Sequence, residues 1–360
     1  MRLAAVALLL ALLAGVASAV DISWGGYLRD DVTVTDRHLG AVVGNYLGNY
    51  LCLRVDLKAY MDEHATVTAT PEFTYLSGDR QLDPYSGLPL PSDHDVGLNR
   101  AQLDLWWERL QITLGKQRLQ LSNAYFFSSL DIFNPADYTE PTVEREGVTA
   151  ARMTAYWSGF SGERLIFVPK ESWSSSPKAA RTFMKAGNFE IGATYLEPGY
   201  DVIKTTGIDL AGPIGELGIY LDAAGDVDNP EHLLDPRATL GLNWGWRNGP
   251  NFTLEYYHDQ RGATNMADYN YKRLLRGRQF TLGRDLVGES LQWQVHPLWV
   301  LGLASLVNIY DRSFFVNPSA TWSLLDNVDL KLESDFYDGV KYSEFSFHNT
   351  LYRLQMMGYF

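Results

Sequence analysis

The sequence predicts an all-β protein: a transmembrane antiparallel up-and-down β-barrel of about 18 strands, with 16 as the alternative, and an inward-folded third outer loop. Three observations carry this. Apolar and polar residues alternate with period two along most of the chain, charges of both signs sit at mid-strand on the polar face, and Trp or Tyr recurs near strand ends. A soluble sandwich alternates as well, so the second and third observations decide. An apolar outer band between aromatic girdles, wrapped around a polar interior, is the pattern of a barrel in a membrane.

Composition excludes other classes. The 360 residues carry 43 acidic against 30 basic side chains, a formal net charge of −13, whereas a nucleic-acid binder needs a basic face. A single Cys makes neither an internal disulfide nor a Cys-rich metal site. A hydrophobic fraction of 46% is too high for disorder, and 31 Gly without a three-residue period are not collagen.

Residues 1–19 read as a cleaved signal peptide: Met1-Arg2 is positive, Leu3 to Val16 is almost wholly apolar, and Ala17-Ser18-Ala19 offers small residues to a signal peptidase. The apolar run falls short of the ~20 residues that a spanning helix needs. Residues 20–360 then form one barrel domain. In Leu51-Cys52-Leu53-Arg54-Val55-Asp56-Leu57-Lys58-Ala59-Tyr60, the aliphatic residues occupy one face, while Arg54, Asp56, Lys58 and Tyr60 occupy the other. Comparable segments fall near 22–34, 47–60, 65–77, 99–108, 110–118, 146–157, 163–169, 180–187, 189–197, 202–212, 215–223, 237–246, 251–260, 286–297, 299–310, 314–324, 328–337 and 346–360. The connections tend to alternate between short and long, as an up-and-down barrel requires. The short segments between 163 and 223 are where one hairpin could be lost, which gives the 16-strand alternative.

Between the fifth and sixth segments, Leu119 to Arg145 contains Tyr125, Phe126, Phe127 and Phe133 with several aliphatics. Exposing such side chains forfeits ~1.5–3 kcal/mol each, so this loop is expected to fold into the lumen. At the far end, Tyr352, Leu354, Met356, Gly358 and Phe360 share one face, and Phe360 is the terminal residue. This resembles the C-terminal assembly signal of bacterial outer-membrane barrels, with Gly358 where that signal usually has an apolar side chain.

Leu114-Gly115-Lys116-Gln117-Arg118, then Ser129-Leu130-Asp131-Ile132-Phe133-Asn134-Pro135 and Arg145-Glu146-Gly147-Val148, resemble the Gly-Arg-Gln strand and Asp-x-Phe-Asn-Pro loop of porin-like outer-membrane proteins related to the alginate-export barrels. Lys116 stands where Arg is common, and Ser122-Asn123 where Trp-Gly or Tyr-Gly is common. The resemblance implies a porin-like barrel and transfers no substrate.

Strand phase points Arg54, Lys58, Arg100, Asp104 and Arg152 inward. Lys116 and Arg118 join them if Gly115 makes a bulge that shifts the phase, in which case Leu119 and Leu121 face lipid. The loop carries Asp131, Asp137, Glu140 and Glu144. A basic wall opposite an acidic loop sets a transverse field across a constriction; the alternative is that these groups pair into a polar plug. Cys52 reads as a small lumen residue. The seven His residues show no metal spacing, and no cofactor, metal or catalytic residue is assigned. Lys272, Arg273, Arg276, Arg278 and Arg284 make one outer loop basic.

The expected function is an outer-membrane porin-like channel for passive diffusion of small hydrophilic or charged solutes. The alternatives are a non-conducting structural or adhesion barrel and an outer-membrane hydrolase. Expected partners are outer-membrane lipid and lipopolysaccharide, the barrel-assembly machinery and small polar solutes; a homotrimer fits a porin, and no nucleic acid is expected.

Overall fold

The computed structural model describes residues 21–37, 43–78, 93–131, 133, 145–199, 204–227, 235–247, 249–275, 279–346 and 348–360. They form an 18-stranded antiparallel sheet in which each strand bonds to its neighbours in sequence and the first bonds to the last, so the sheet closes. The strands are β1 (Asp21–Arg37), β2 (Gly44–Tyr60), β3 (Ala65–Gly78), β4 (Asp93–Trp107), β5 (Leu110–Gln117), β6 (Val148–Ser158), β7 (Ser161–Phe167), β8 (Lys178–Ala186) and β9 (Phe189–Glu197). They continue as β10 (Thr205–Ile214), β11 (Leu217–Asp226), β12 (Arg237–Gly245), β13 (Asn251–Asp259), β14 (Asp285–His296), β15 (Trp299–Asn308), β16 (Phe314–Leu325), β17 (Val328–Asp338) and β18 (Thr350–Tyr359). Among the described residues, helix is confined to a single 3-10 turn, Met266–Asp268, and to Tyr271–Leu275, both between β13 and β14. The 16-strand alternative is set aside, because all five short segments between 163 and 223 are paired strands.

Burial is inverted relative to a soluble protein. Leu28, Val32, Leu51, Leu53, Leu240, Leu301 and Leu354 are exposed on the outside, while Asp31, Thr33, Arg54, Asp104, Thr113 and Glu255 are buried inside. In β2 the alternation is direct: Cys52 and Arg54 are covered, and Leu51 and Leu53 are bare. Aromatic rings mark one rim at Trp24, Trp107, Trp157, Trp244, Trp293, Trp299 and Trp322. Trp299 stacks on its cross-strand partner Trp322 with centroids 5.5 Å apart. The start of β1, the short turns and Phe360 share this rim; the long connections leave from the other.

Phe360 seals the seam. Its N–H donates to Gly26 O (3.1 Å), its carbonyl accepts from Gly26 N (3.0 Å), and its ring lies beside Trp24. Some outward positions depart from the apolar rule: Asp30 on β1 accepts from Asn49 Nδ2 on β2 at 2.6 Å. The row of paired residues Trp299, Trp322, Leu330, Met356, Asp30, Leu51 and Tyr75 runs through it, so Asp30 lies within the apolar band.

Candidate functional site: the lumen and the loop that crosses it

The connection between β5 and β6 enters the barrel and touches two separate stretches of wall. Leu119, Leu121 and Leu130 pack with Ala150 of β6, Ile166 of β7, Ala179 of β8, Leu196 of β9 and Ala224 of β11. Phe126 and Phe127 pack with Tyr257 of β13, Leu286 of β14, Leu306 of β15, Phe315 of β16 and Phe345 of the last outer connection. Gly288 on β14 makes room for the second contact, since a Cβ there would lie 2.7 Å from Phe126 Cδ2.

Polar bonds fix the loop between these clusters. Glu255 on β13 is 0% exposed and accepts from three successive backbone N–H groups, those of Tyr125, Phe126 (2.9 Å) and Phe127 (3.0 Å), and from Tyr220 Oη (2.5 Å). Thr239 Oγ1 donates to Phe127 O (2.6 Å), Arg237 Nε donates to Ser129 O (2.9 Å), and Ser122 Oγ donates to Asp222. Within the loop, Asp131 accepts from Leu121 N (2.5 Å) and faces Arg145 Nη1 at 3.4 Å.

The inward phases of Arg54, Lys58, Arg100, Asp104 and Arg152 follow from the register. Arg54 is held by Asp56 (3.0 Å) and Glu72 (3.6 Å), and its guanidinium lies over Tyr27. Lys58 sits near the short-turn rim, its ammonium over the Tyr60 ring. Asp104 accepts from Thr113 Oγ1 and Gln102 Nε2, both at 2.7 Å. Arg152 donates to Thr113 Oγ1 (3.1 Å), and its neighbour Arg164 donates to Thr154 Oγ1 (3.4 Å). Among the described residues no carboxylate pairs with either Arg152 or Arg164.

Three expectations are corrected. The ladder runs through Gly115 without a register shift, Gln102 opposite Gly115 and Ala101 opposite Lys116, although Gly115 has φ +112°. No residue is inserted, so Lys116 keeps the outward parity of Leu114 and bonds to Leu98 O and Glu146. Arg118 is exposed beyond the end of β5, and Leu119 and Leu121 are buried inside rather than facing lipid. Asp131 is 2% exposed, a brace within the loop instead of a charge aimed across the lumen. Asp137, Glu140 and Glu144 lie outside the described residues, as do residues 1–19, Arg276 and Arg278. Among the described residues no cluster of three or more His, Cys, Asp or Glu has metal-binding geometry.

Three acids further round the wall are paired with arginines. Asp209 takes Arg181 (2.6 Å), Asp226 takes Arg237 (3.0 Å), and Asp259 takes Arg261 (2.7 Å). Arg152 on β6 and Arg164 on β7 thus face the lumen without a carboxylate paired to either among the described residues. Sequence reading missed Arg164, Tyr220, Asp222, Arg237, Thr239 and Glu255; the inward parity of each was available, but the loop atoms they meet were not.

No protein-family model and no curated protein matches the chain by sequence. Solved structures match its shape. A double variant of OccD1 (OprD) superposes with a TM-score of 0.64 at 10% identity, over 94% of this chain and 95% of that one. OccAB3 of Acinetobacter baumannii superposes with a TM-score of 0.59 at 9% identity, over 94% and 99%. The closed 18-stranded barrel and its superposition on these two proteins over nearly their whole length together give this chain the fold of OccD1 and OccAB3.

Proposed function

We propose that the chain is an outer-membrane channel through which small hydrophilic or charged solutes diffuse passively, sorted by a charged constriction. One observation carries the reading: Arg152 and Arg164 face the lumen on threonine hydroxyls and, for Arg164, the Phe183 ring, with no paired carboxylate among the described residues, while Asp209 and Asp226 are paired with arginines and Glu255 is bound by the crossing loop. Inside low-dielectric walls an unneutralised charge acts over several ångströms and favours counter-charged solutes. The wall therefore leans toward anions, including carboxylates and phosphates.

On the same reading residues 1–19 are removed on export, the barrel-assembly machinery recognises the strand ending at Phe360, and the outer rim meets lipopolysaccharide. A homotrimer and kinship with alginate-export-type barrels belong to this proposal too. The test is single-channel current across a planar bilayer with a panel of solutes. Discrete steps with reversal potentials shifted toward the anion support the channel. Absence of current, with the barrel folded, leaves a structural barrel, and hydrolysis of lipid or peptide reporters isolates an enzyme.

A further inference from the structure

The crossing loop could narrow the lumen either as a tethered flap or as a beam set in the wall, and the two differ in what the loop backbone bonds to. Three consecutive N–H groups, from Tyr125 to Phe127, converge on the Glu255 carboxylate, and Tyr220 Oη donates to the same group. Such convergence is how a peptide nest receives an anion, and bonds to an ionised acceptor are about twice as strong as neutral ones. Here the anion belongs to the wall and the nest to the loop. We propose that Glu255 is the positioning residue of the constriction: its carboxylate, oriented by Tyr220, seats the tip of the loop and holds the aperture at one width. The inference rests on the channel reading.

The neighbouring contacts fit one seated position. Thr239 and Arg237 bind the carbonyls of Phe127 and Ser129, two and four residues along from Tyr125. The Phe127 ring stacks on Tyr257, two residues on from Glu255 and on the same inner face, with centroids 5.2 Å apart. Glu255 is 0% exposed, so solute does not reach its carboxylate, and its substitution acts through the loop. A glutamine has the same shape but offers one acceptor oxygen and turns an NH2 toward donors, leaving buried N–H groups without partners.

The experiment compares the full chain with E255Q, both carrying Cys52→Ser, after heat-modifiable migration has shown the two barrels to be folded. The expected result is uniform conductance steps for the parent and several levels with raised open-channel noise for E255Q. Occupancy of the unseated state should rise about tenfold or more, the change that ~1.4 kcal/mol produces. Ser129 Oγ and Thr239 Oγ1 lie 3.3 Å apart, so S129C with T239C can bolt the loop by a disulfide. In E255Q the oxidised bolt should restore uniform steps, and reduction should abolish them. Uniform steps in E255Q without a bolt overturn the assignment while leaving the channel intact. Thiol labelling of S129C is read independently of current. Slow labelling beside Glu255 and fast labelling in E255Q support the seat even in a barrel that fails to conduct, and equal rates overturn it.

Discussion

At the scale of single residues, period two is enough to place a side chain inside or outside, and fails only where the backbone changes its mind. Arg54, Arg100, Asp104 and Arg152 were legible because alternation holds across each of them, the one register shift nearby falling at Asn99, before Arg100. Lys116 was not, because a glycine that inserts a residue and a glycine that turns to φ +112° in an unbroken ladder look alike in sequence. The distinction has an electrical readout. Arg152→Glu and Arg164→Glu should each raise cation preference by an amount worth about 1 kcal/mol or less in relative permeability. The shift should shrink in high salt, where the screening length falls from ~10 Å at 0.1 M to ~3 Å at 1 M. Lys116→Glu, outside the barrel, should leave the reversal potential where it was; an equal shift there would mean that the strand phase is wrong.

At the scale of elements, strands follow from pattern, and loops do not, since a loop's contacts come from residues distant in sequence. That the segment after β5 turns inward was legible from Phe126, Phe127 and Leu130, which solvent would not tolerate; that it lands on Glu255 was not, since 128 to 130 residues separate the partners. The outer loops show a similar device. Glu344, between β17 and β18, accepts from Leu282 N (2.8 Å), Gly283 N (2.6 Å) and Asn308 Nδ2 (3.1 Å), tying two connections together. Burial, with the neighbouring Asp311 carboxylate adding to it, pushes Glu344 up to about 7 against the opposing pull of those N–H groups. A carboxyl whose folded pKa lies above its unfolded value binds its proton more tightly when folded. Its contribution therefore grows as pH falls from above 7 toward 4.5 and is lost as pH rises through 7, an effect of up to ~3 kcal/mol. Protease nicking of the connection around Leu282 should slow between pH 8 and pH 6 in the parent chain, and Glu344→Gln should flatten that dependence.

At the scale of the whole molecule, the barrel, its 18 strands and its two rims were legible because the membrane imposes one rule on every strand. The lipid face should obey that rule under substitution. Leu103, opposite Val67 and Leu114, is outward, and Leu103→Lys should lower folded stability by up to ~2–4 kcal/mol at mid-membrane. Asp30→Leu should act in the opposite direction, read as unfolding midpoint in vesicles. Deleting Phe360 removes both seam bonds to Gly26 and is expected to cut outer-membrane yield far more than it softens the barrel that does assemble; unchanged yield would count against an assembly role. The loop seat also has a consequence in time. Its sockets at Asp222, Arg237 and Glu255 belong to β11, β12 and β13, all made after the loop itself. The loop cannot dock until those strands stand beside it, and contacts of such long sequence separation form slowly. In refolding from urea into vesicles, the circular-dichroism signal of the sheet should reach its final value first, protection of Ser129 should follow, and a barrel caught between the two would be closed in outline yet still wide at its waist.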